Sequence, residues 1–487
     1  MRKDDPQVSH AQGDLDPADW DAFETQVNRL LSAVIEKMRS AHEGPVWTPP
    51  PDDLKAALAE PIPIDGLDLS ALATRLETLL PYGVGNTHPR FFGWVHGSGA
   101  PGNMLAELIG AAMNANCGGR DHVAIYVERQ VIEWCKSLFG FPDQASGLIV
   151  SGTSMATIIA AKTARDAALA FASRTEGAGA AKLVGYVSEQ AHSCLARAFD
   201  MIGLGTDALR KVAVTPAFEI DVEALKAQIR RDREAGFQPF FLAGNVGTVN
   251  TGAIDDLVAL ADLAAREGLW FHVDGAFGAC AMTNPQIAPR LNGLERADSL
   301  AFDFHKWMHV NYDAGCVLVR DGAAHRKAFA SRPDYLAADG AALAAGEPWP
   351  VDYGPELSRG FRALKVWAHL LEHGTQKIGH SIARNCDLAK YLAENVEAHP
   401  DFELSAPVSL NICCFRYRVA DLSEAQLDDL NGRLVAHIQR AGIAAPSTTR
   451  LNGRLVIRVN ITNHRTQQAD MDILLDALAE GGASLRA

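Results

Sequence analysis

No stretch of this chain approaches the run of about 18 apolar residues that a membrane-spanning helix requires. The N-terminus, Met1-Arg2-Lys3-Asp4-Asp5-Pro6, also lacks the apolar core of a secretory leader, so a cytoplasmic location is expected. Positive charge is in short supply: 45 Lys and Arg face 59 Asp and Glu, for a net charge of -14. That balance argues against nucleic acid or an anionic membrane as the main partner, because both need a basic footprint. The eight cysteines form no Cys-x-x-Cys pair, which leaves neither a zinc knuckle nor a disulfide framework and points to reduced thiols. Walker loops, dinucleotide fingerprints and internal repeats are missing too. A small-molecule partner fits what is left.

What is present is enough apolar material, 48% of 487 residues, for a large core and about three domains. Residues 14 to 80 read as amphipathic helices (Trp20, Phe23, Val27, Leu30, Leu31, Val34, Ile35) broken by the prolines between Pro45 and Pro51. An apolar arm of this kind needs a covering surface, and a second subunit would supply it. From about residue 145 strands alternate with helices. Strands are expected at 147–152, 182–187, 211–214, 239–243, 269–274, 300–303 and 315–319, with helices at 156–172, 222–235 and 257–267. This alternation predicts an α/β fold with a mostly parallel sheet covered on both faces, where ligands gather at the carboxyl ends of strands. A helix around Phe361 to Glu372 precedes a tail with strands at 409–417 and 454–459, expected to be a smaller α+β domain. The divisions expected are 1–86 for the arm, 87–375 for the large domain and 376–487 for the small one. Ala337 to Gly346 reads as a loop, lacking bulky apolar side chains.

Five groups of residues carry chemistry, each at an expected strand end. Ser151-Gly152-Thr153-Ser154 brings free N–H groups, a helix dipole and hydroxyls to one point, an anion cup as well as a plain helix cap. His192 begins a helix after the strand ending near Val187, where its flat ring can stack on a planar ligand or simply make a polar end contact. Asn245 to Gly252 supplies glycines and Thr248 for close approach to a ligand, and reads equally as a turn. Asp274 closes an apolar strand, where a carboxylate needs a cation or several donors. In Asp303-Phe304-His305-Lys306-Trp307 the lysine is placed to be a nucleophile. His305 and His309 have the i, i+4 spacing of a metal helix, and His272 with Asp274 adds possible ligands. No His-Glu-x-x-His motif supports them, so no metal is expected.

Taken with His88-Pro89-Arg90-Phe91-Phe92-Gly93, Gln190-Ala191-His192-Ser193, His272-Val273-Asp274-Gly275-Ala276, Pro333-Asp334-Tyr335-Leu336, Ser358-Arg359-Gly360-Phe361-Arg362 and Arg458 with Asn463-His464-Arg465-Thr466, this order resembles the group II pyridoxal-phosphate-dependent amino-acid decarboxylases. The resemblance spans roughly residues 80 to 470. It implies the aspartate aminotransferase-like fold of pyridoxal enzymes, fold type I, with a seven-stranded sheet, and a homodimer. It further implies that Lys306 links to pyridoxal 5'-phosphate, that Asp274 pairs with the ring nitrogen and that His192 stacks on the ring. Ser151, Thr153 and Ser154 would take the phosphate with help from Asp303 and His305, while Thr248 and Ala276 would line the ring. Tyr335 would supply or relay the proton that follows loss of carbon dioxide.

Phe92, Trp94 and His122 are the expected substrate contacts, and Phe91, Phe92 and Trp94 favour an aromatic L-amino acid. The chain departs from the family at Phe304, at Gly360 and in Asn116-Cys117-Gly118-Gly119-Arg120-Asp121-His122, on the substrate side. The expected reaction is decarboxylation to the amine. The alternatives are an aldehyde synthase, a carbon-carbon lyase or a transaminase of the same fold, and a non-catalytic scaffold; an intact set of buried charges weighs against the scaffold.

Overall fold

The structure is a computed structural model that describes residues 15–331 and 342–486. Among the described residues twelve strands form two sheets. The larger holds β2 (Ser146–Val150), β3 (Leu183–Ser188), β4 (Leu209–Val212), β5 (Gln238–Asn245), β6 (Trp270–Asp274), β7 (Ser299–Asp303) and β8 (Gly315–Val319) in the order β2-β8-β7-β6-β5-β3-β4. β8 alone runs against its two neighbours, and the other pairs are parallel. Every residue of β3, β7 and β8 is buried, as continuous apolar runs demand when helices cover both faces.

Local chemistry sets the helix limits. Asp221 accepts from the N–H groups of Glu223 and Ala224 to start Val222–Glu234, and Asp256 accepts from Ala259 to start Leu257–Glu267. Gly268, at φ 67°, ends the latter and turns the chain into β6. The helix Thr153–Ala168 lies against β7 and β8, three residues ahead of its expected start.

The smaller sheet has the order β1-β11-β12-β10-β9, from β1 (Phe91–Phe92), β9 (Phe402–Leu404), β10 (Ile412–Tyr417), β11 (Ala445–Leu451) and β12 (Arg454–Asn460). β1 pairs in parallel with β11, so Phe91 and Phe92 belong to this sheet although they precede the large one in sequence. The helix Arg362–Ala398 runs between the two sheets and breaks at Gly374, whose φ of 64° suits glycine. At the front, Trp20–Arg39, Asp52–Ala57 and Leu69–Glu77 form the helical arm, tied to the body by Val46 N–H donating to the Gly442 carbonyl at 2.9 Å. Of the loop expected at 337–346, residues 337–341 lie outside the described residues and Ala342–Ala344 make a 3-10 turn. No helix among the described residues is long and apolar enough to cross a membrane.

Candidate active site

β2, β3, β5, β6 and β7 point the same way, so their carboxyl ends share one edge of the sheet. At that edge the chain leaves β7 at Asp303, turns through His305 and Lys306, and returns in β8. Lys306 Nζ lies 2.8 Å from Asp303 Oδ2, and Asp303 Oδ1 accepts from Thr153 N–H at 2.6 Å. Burial pushes the Asp303 carboxyl up, but Lys306, His305 and the Thr153 N–H outweigh it and hold it below the ordinary carboxylate range. Burial likewise opposes charge on Lys306, yet Asp303 and then Asp274 raise its pKa above the ordinary lysine value. Asp303 thus keeps Lys306 as an ammonium, and the amine becomes a nucleophile when that proton leaves.

Asp274 ends β6 at 5% exposure. It accepts from Ala276 N–H at 3.1 Å, with Cys194 Sγ 4.0 Å away. Burial raises its pKa, against the pull of Lys306, the Ala276 N–H and His192. A carboxylate so poor in donors calls for a cation. His192 stays solvent-accessible, and its Nδ1 accepts from Cys194 N–H at 3.2 Å. Burial of the ring lowers its pKa from 6.5, with Asp274 opposing and Lys306 assisting, so the imidazole is neutral at pH 7.

The cup is the start of Thr153–Ala168, where Gly152 offers no side-chain cap. Thr153 Oγ1 is buried without a hydrogen-bond partner among the described residues, Ser151 is half-buried and Ser154 is exposed. A Cβ on Gly315 would meet Asp303 Oδ1 at 2.5 Å, and one on Gly152 would meet it at 3.4 Å. Bare glycines are what allow β2, β7 and β8 to close around this carboxylate. Thr248 is buried in the turn after β5, its hydroxyl 3.0 Å from Thr251 Oγ1 and accepting from Ala253 N–H at 3.1 Å. Ala276 is held beside Asp274 by its own N–H.

The expected substrate residues separate. Phe92 is 0% exposed and packs with Leu388, Phe402 and Phe415 in the small-sheet core, which corrects its expected place as a substrate contact. The cause is strand alternation, which sends neighbouring Phe91 to the other side. Trp94 is 56% exposed at φ 50°, its carbonyl held by Arg458 at 2.8 Å and by Asn460. His122 heads the helix Val123–Phe139, its Nε2 3.3 Å from the Asn116 carbonyl. Among the described residues it makes no hydrogen bond or ring contact with the Lys306 group. Tyr335 lies outside the described residues.

Two residues of the cleft escaped the sequence reading. The His96 ring stacks on Phe91 at 5.6 Å, lies 5.6 Å from Trp94 and meets Tyr312 edge-on at 6.2 Å. Thr462 holds its carbonyl at 2.8 Å, while its ring nitrogens make no hydrogen bond among the described residues. Burial and then the charge of Lys306 lower its pKa, placing Lys306 within electrostatic reach. Tyr312 lies 4.3 Å from the His305 ring, and its Oη accepts from Gly97 N–H at 3.4 Å. His96 stood two residues after Trp94 as a signal. Tyr312 had none, since only the fold brings residue 312 to residue 96. Among the described residues no group of three His, Cys, Asp or Glu side chains is arranged to hold a metal.

A lysine between two strand-end carboxylates, beside a helix-start cup on a seven-stranded α/β sheet, defines an enzyme of the pyridoxal-phosphate class. Residues 51–418 match the family model for the pyridoxal-dependent decarboxylase conserved domain. An aromatic-L-amino-acid decarboxylase of Bacillus atrophaeus is 36% identical over 457 residues, 91% of this chain and 92% of that one. A phenylacetaldehyde synthase of Arabidopsis thaliana is 30% identical over 401 residues, 79% of this chain and 80% of that one. A crystal structure of Oryza sativa TDC with PLP and tryptamine superposes with a TM-score of 0.89 at 24% identity, covering 97% of this chain and 100% of that one. The fold is fold type I of the pyridoxal enzymes. The chain belongs to the pyridoxal-dependent decarboxylase family, and is an amino-acid decarboxylase whose cofactor is pyridoxal 5'-phosphate. The residues fit that group: among the described residues Asp274 has no ion pair and the Thr153 hydroxyl no hydrogen-bond partner, and Gly152 gives the helix start no side-chain cap.

Proposed function

We propose that this decarboxylase converts an aromatic L-amino acid to its amine and carbon dioxide. The observation that carries the aromatic preference is the wall of Phe91, Trp94, His96 and Tyr312 beside Lys306. The name of the Bacillus atrophaeus relative supports the same substrate class. When bound, pyridoxal phosphate supplies a sink for the electron pair left as the carboxylate departs. In this reading Lys306 Nζ would anchor the cofactor and, when free, would hold or give up a proton. Asp274 would hold the proton on the ring nitrogen, the neutral His192 would lie against the ring, and Thr153, Ser154 and Ser151 would bind the phosphate at the helix start. Tyr335 delivers a proton to the substrate Cα.

Incubating the holoprotein with single L-amino acids, and scoring carbon dioxide, amine, aldehyde and ammonia separately, tests this. Amine and carbon dioxide from phenylalanine, tyrosine or tryptophan are expected, and turnover confined to acidic amino acids would overturn the substrate class. The second reading, an aldehyde synthase, draws on the Arabidopsis thaliana relative and predicts aldehyde with ammonia. Tyr335 opposes it, because a proton donor quenches the carbon that oxygen would otherwise intercept.

A homodimer belongs to the same proposal. The arm leaves Trp20, Leu58, Ile62, Ile64 and Leu67 at 53% exposure or more, too much apolar surface for a helical arm to leave in water, and a second copy would cover it. Sedimentation of the holoprotein should give twice the chain mass, and a monomer would sink this part. A cytoplasmic place completes the reading, supported by the acidic balance and by cysteines that are all free and buried.

A further inference from the structure

Three residues beyond Lys306, His309 borders a second cavity, of about 530 Å³, between the segment at Ala100 and the helix Arg362–Ala398. Three polar atoms of its lining residues are buried without a hydrogen-bond partner among the described residues: Nε2 of His309, Nε2 of His369 and Oγ of Ser381. His309 is 4% exposed and His369 2%. Asn103 Nδ2, which also donates to the Ala100 carbonyl at 3.1 Å, lies 3.2 Å from His369 Nδ1, so that Nδ1 accepts and the His369 proton sits on Nε2. The Met308 carbonyl is near enough to favour charge on this ring but outside hydrogen-bond geometry. Ser98 Oγ bridges Nδ1 of His309 at 3.3 Å and Nδ1 of His464 at 2.8 Å.

The rim is cationic. Lys377 and Arg384 are exposed there, and neither has an ion pair among the described residues; the Arg384 guanidinium donates to the His464 carbonyl. No described Asp or Glu lines the cavity; Glu372 lies beside it, against Gly102 and 3.5 Å from His373 Nε2. In a chain of net charge -14 such a concavity is a local reversal of sign. The Nε2–H of His369 and the Ser381 hydroxyl, both unpartnered among the described residues, lie with two cations that have no ion pair there, and an oxyanion accepts from all four.

We propose that this cavity is a binding site for an oxyanion, the phosphate or carboxylate group of a small molecule, distinct from the phosphate cup at Thr153. Ser98 follows Gly97, whose Cβ position lies 2.6 Å from the Lys306 carbonyl, so an anion held here sits against backbone that packs on the Lys306 turn.

Calorimetric titration of the holoenzyme, with pyridoxal phosphate already in its own cup, tests this with inorganic phosphate and acetate as separate probes. Saturable binding of one anion per chain is expected, weakened about tenfold in Lys377→Gln through loss of a charge-assisted contact. Ser381→Ala should weaken it further, while the cofactor absorbance and the product assay without added anion stay as in wild type. Phosphate binding alone assigns a phosphate ester, acetate binding alone a carboxylate, and both a general oxyanion site. No saturable binding of either probe, or wild-type affinity in the Lys377→Gln/Ser381→Ala double variant, overturns the proposal. Neither result touches the decarboxylase reading, which stands on its own product assay.

Discussion

Asp303 Oδ2 sits 2.8 Å from Lys306 Nζ, so the carboxylate that ends β7 sets the protonation of the lysine that follows it. Lys306→Ala should abolish the borohydride-trapped cofactor adduct and the activity together, read by mass and by amine release. In Asp303→Asn the charge that raises the Lys306 pKa is gone. Lys306 should then react faster than wild type with an amine-acylating reagent at pH 8, and an unchanged rate would remove Asp303 from this role.

Two buried histidines should make stability fall on acidification below pH 6.5. Burial pushes His272 and His325 from 6.5 down to about 3, so the folded state holds them neutral while the unfolded chain takes up protons. Their contribution is intact above pH 6.5 and declines as pH drops from 6.5 towards 3. Thermal midpoints between pH 7 and pH 4 check this. His272→Gln should flatten the slope, and a slope equal to wild type would show that His272 does not drive it.

Arg359 should matter for folding rather than for chemistry. Its guanidinium donates to Glu128 Oε1 at 2.7 Å, to Glu128 Oε2 at 3.0 Å and to the Cys117 carbonyl at 2.9 Å, with both side chains almost wholly buried. Arg359→Ala strands the Glu128 charge and is expected to cost about 3 to 5 kcal/mol in urea unfolding. The joint replacement of Arg359 and Glu128 by apolar residues of similar volume should recover much of that loss.

His96 offers ring nitrogens with no hydrogen bond among the described residues, stacked in the aromatic wall. His96→Phe keeps the stacking and removes the polar edge. It should raise KM for tyrosine over phenylalanine by about tenfold, with kcat changed less; equal effects on both substrates would count against a contact to the ring hydroxyl.

Tyr335→Phe addresses the proton. Products should move from amine towards aldehyde with ammonia, and an unaltered product ratio would take Tyr335 out of the donor role.

Much of the large sheet was legible because strands buried on both faces are written as mainly apolar runs, such as Phe271-His272-Val273 in β6 and Gly315 to Val319 in the reversed β8. Lys306 and Asp274 could be read for the same reason, as charged residues closing those runs. β1 has two residues and β9 three, too short to show a period, and β11 reads Ala-Pro-Ser-Thr-Thr-Arg-Leu, with its apolar content spent at the ends. Phe92 went to the wrong place because two residues of strand carry no sign of which face looks inward. The His96–Tyr312 contact joins segments more than two hundred residues apart, and nothing local records it.

The reversed strand β8 has a consequence for how the site is assembled. Asp303 and Gly315 pair across a hairpin only 12 residues apart in the chain, so the Lys306 turn closes cheaply and early. The Thr153 to Asp303 bond spans 150 residues, and its loop-closure entropy is about 2 kcal/mol more costly. On this ordering the nascent polypeptide presents its reactive amine before it can grip a phosphate, and cofactor capture waits for the most distant parts of the domain to meet.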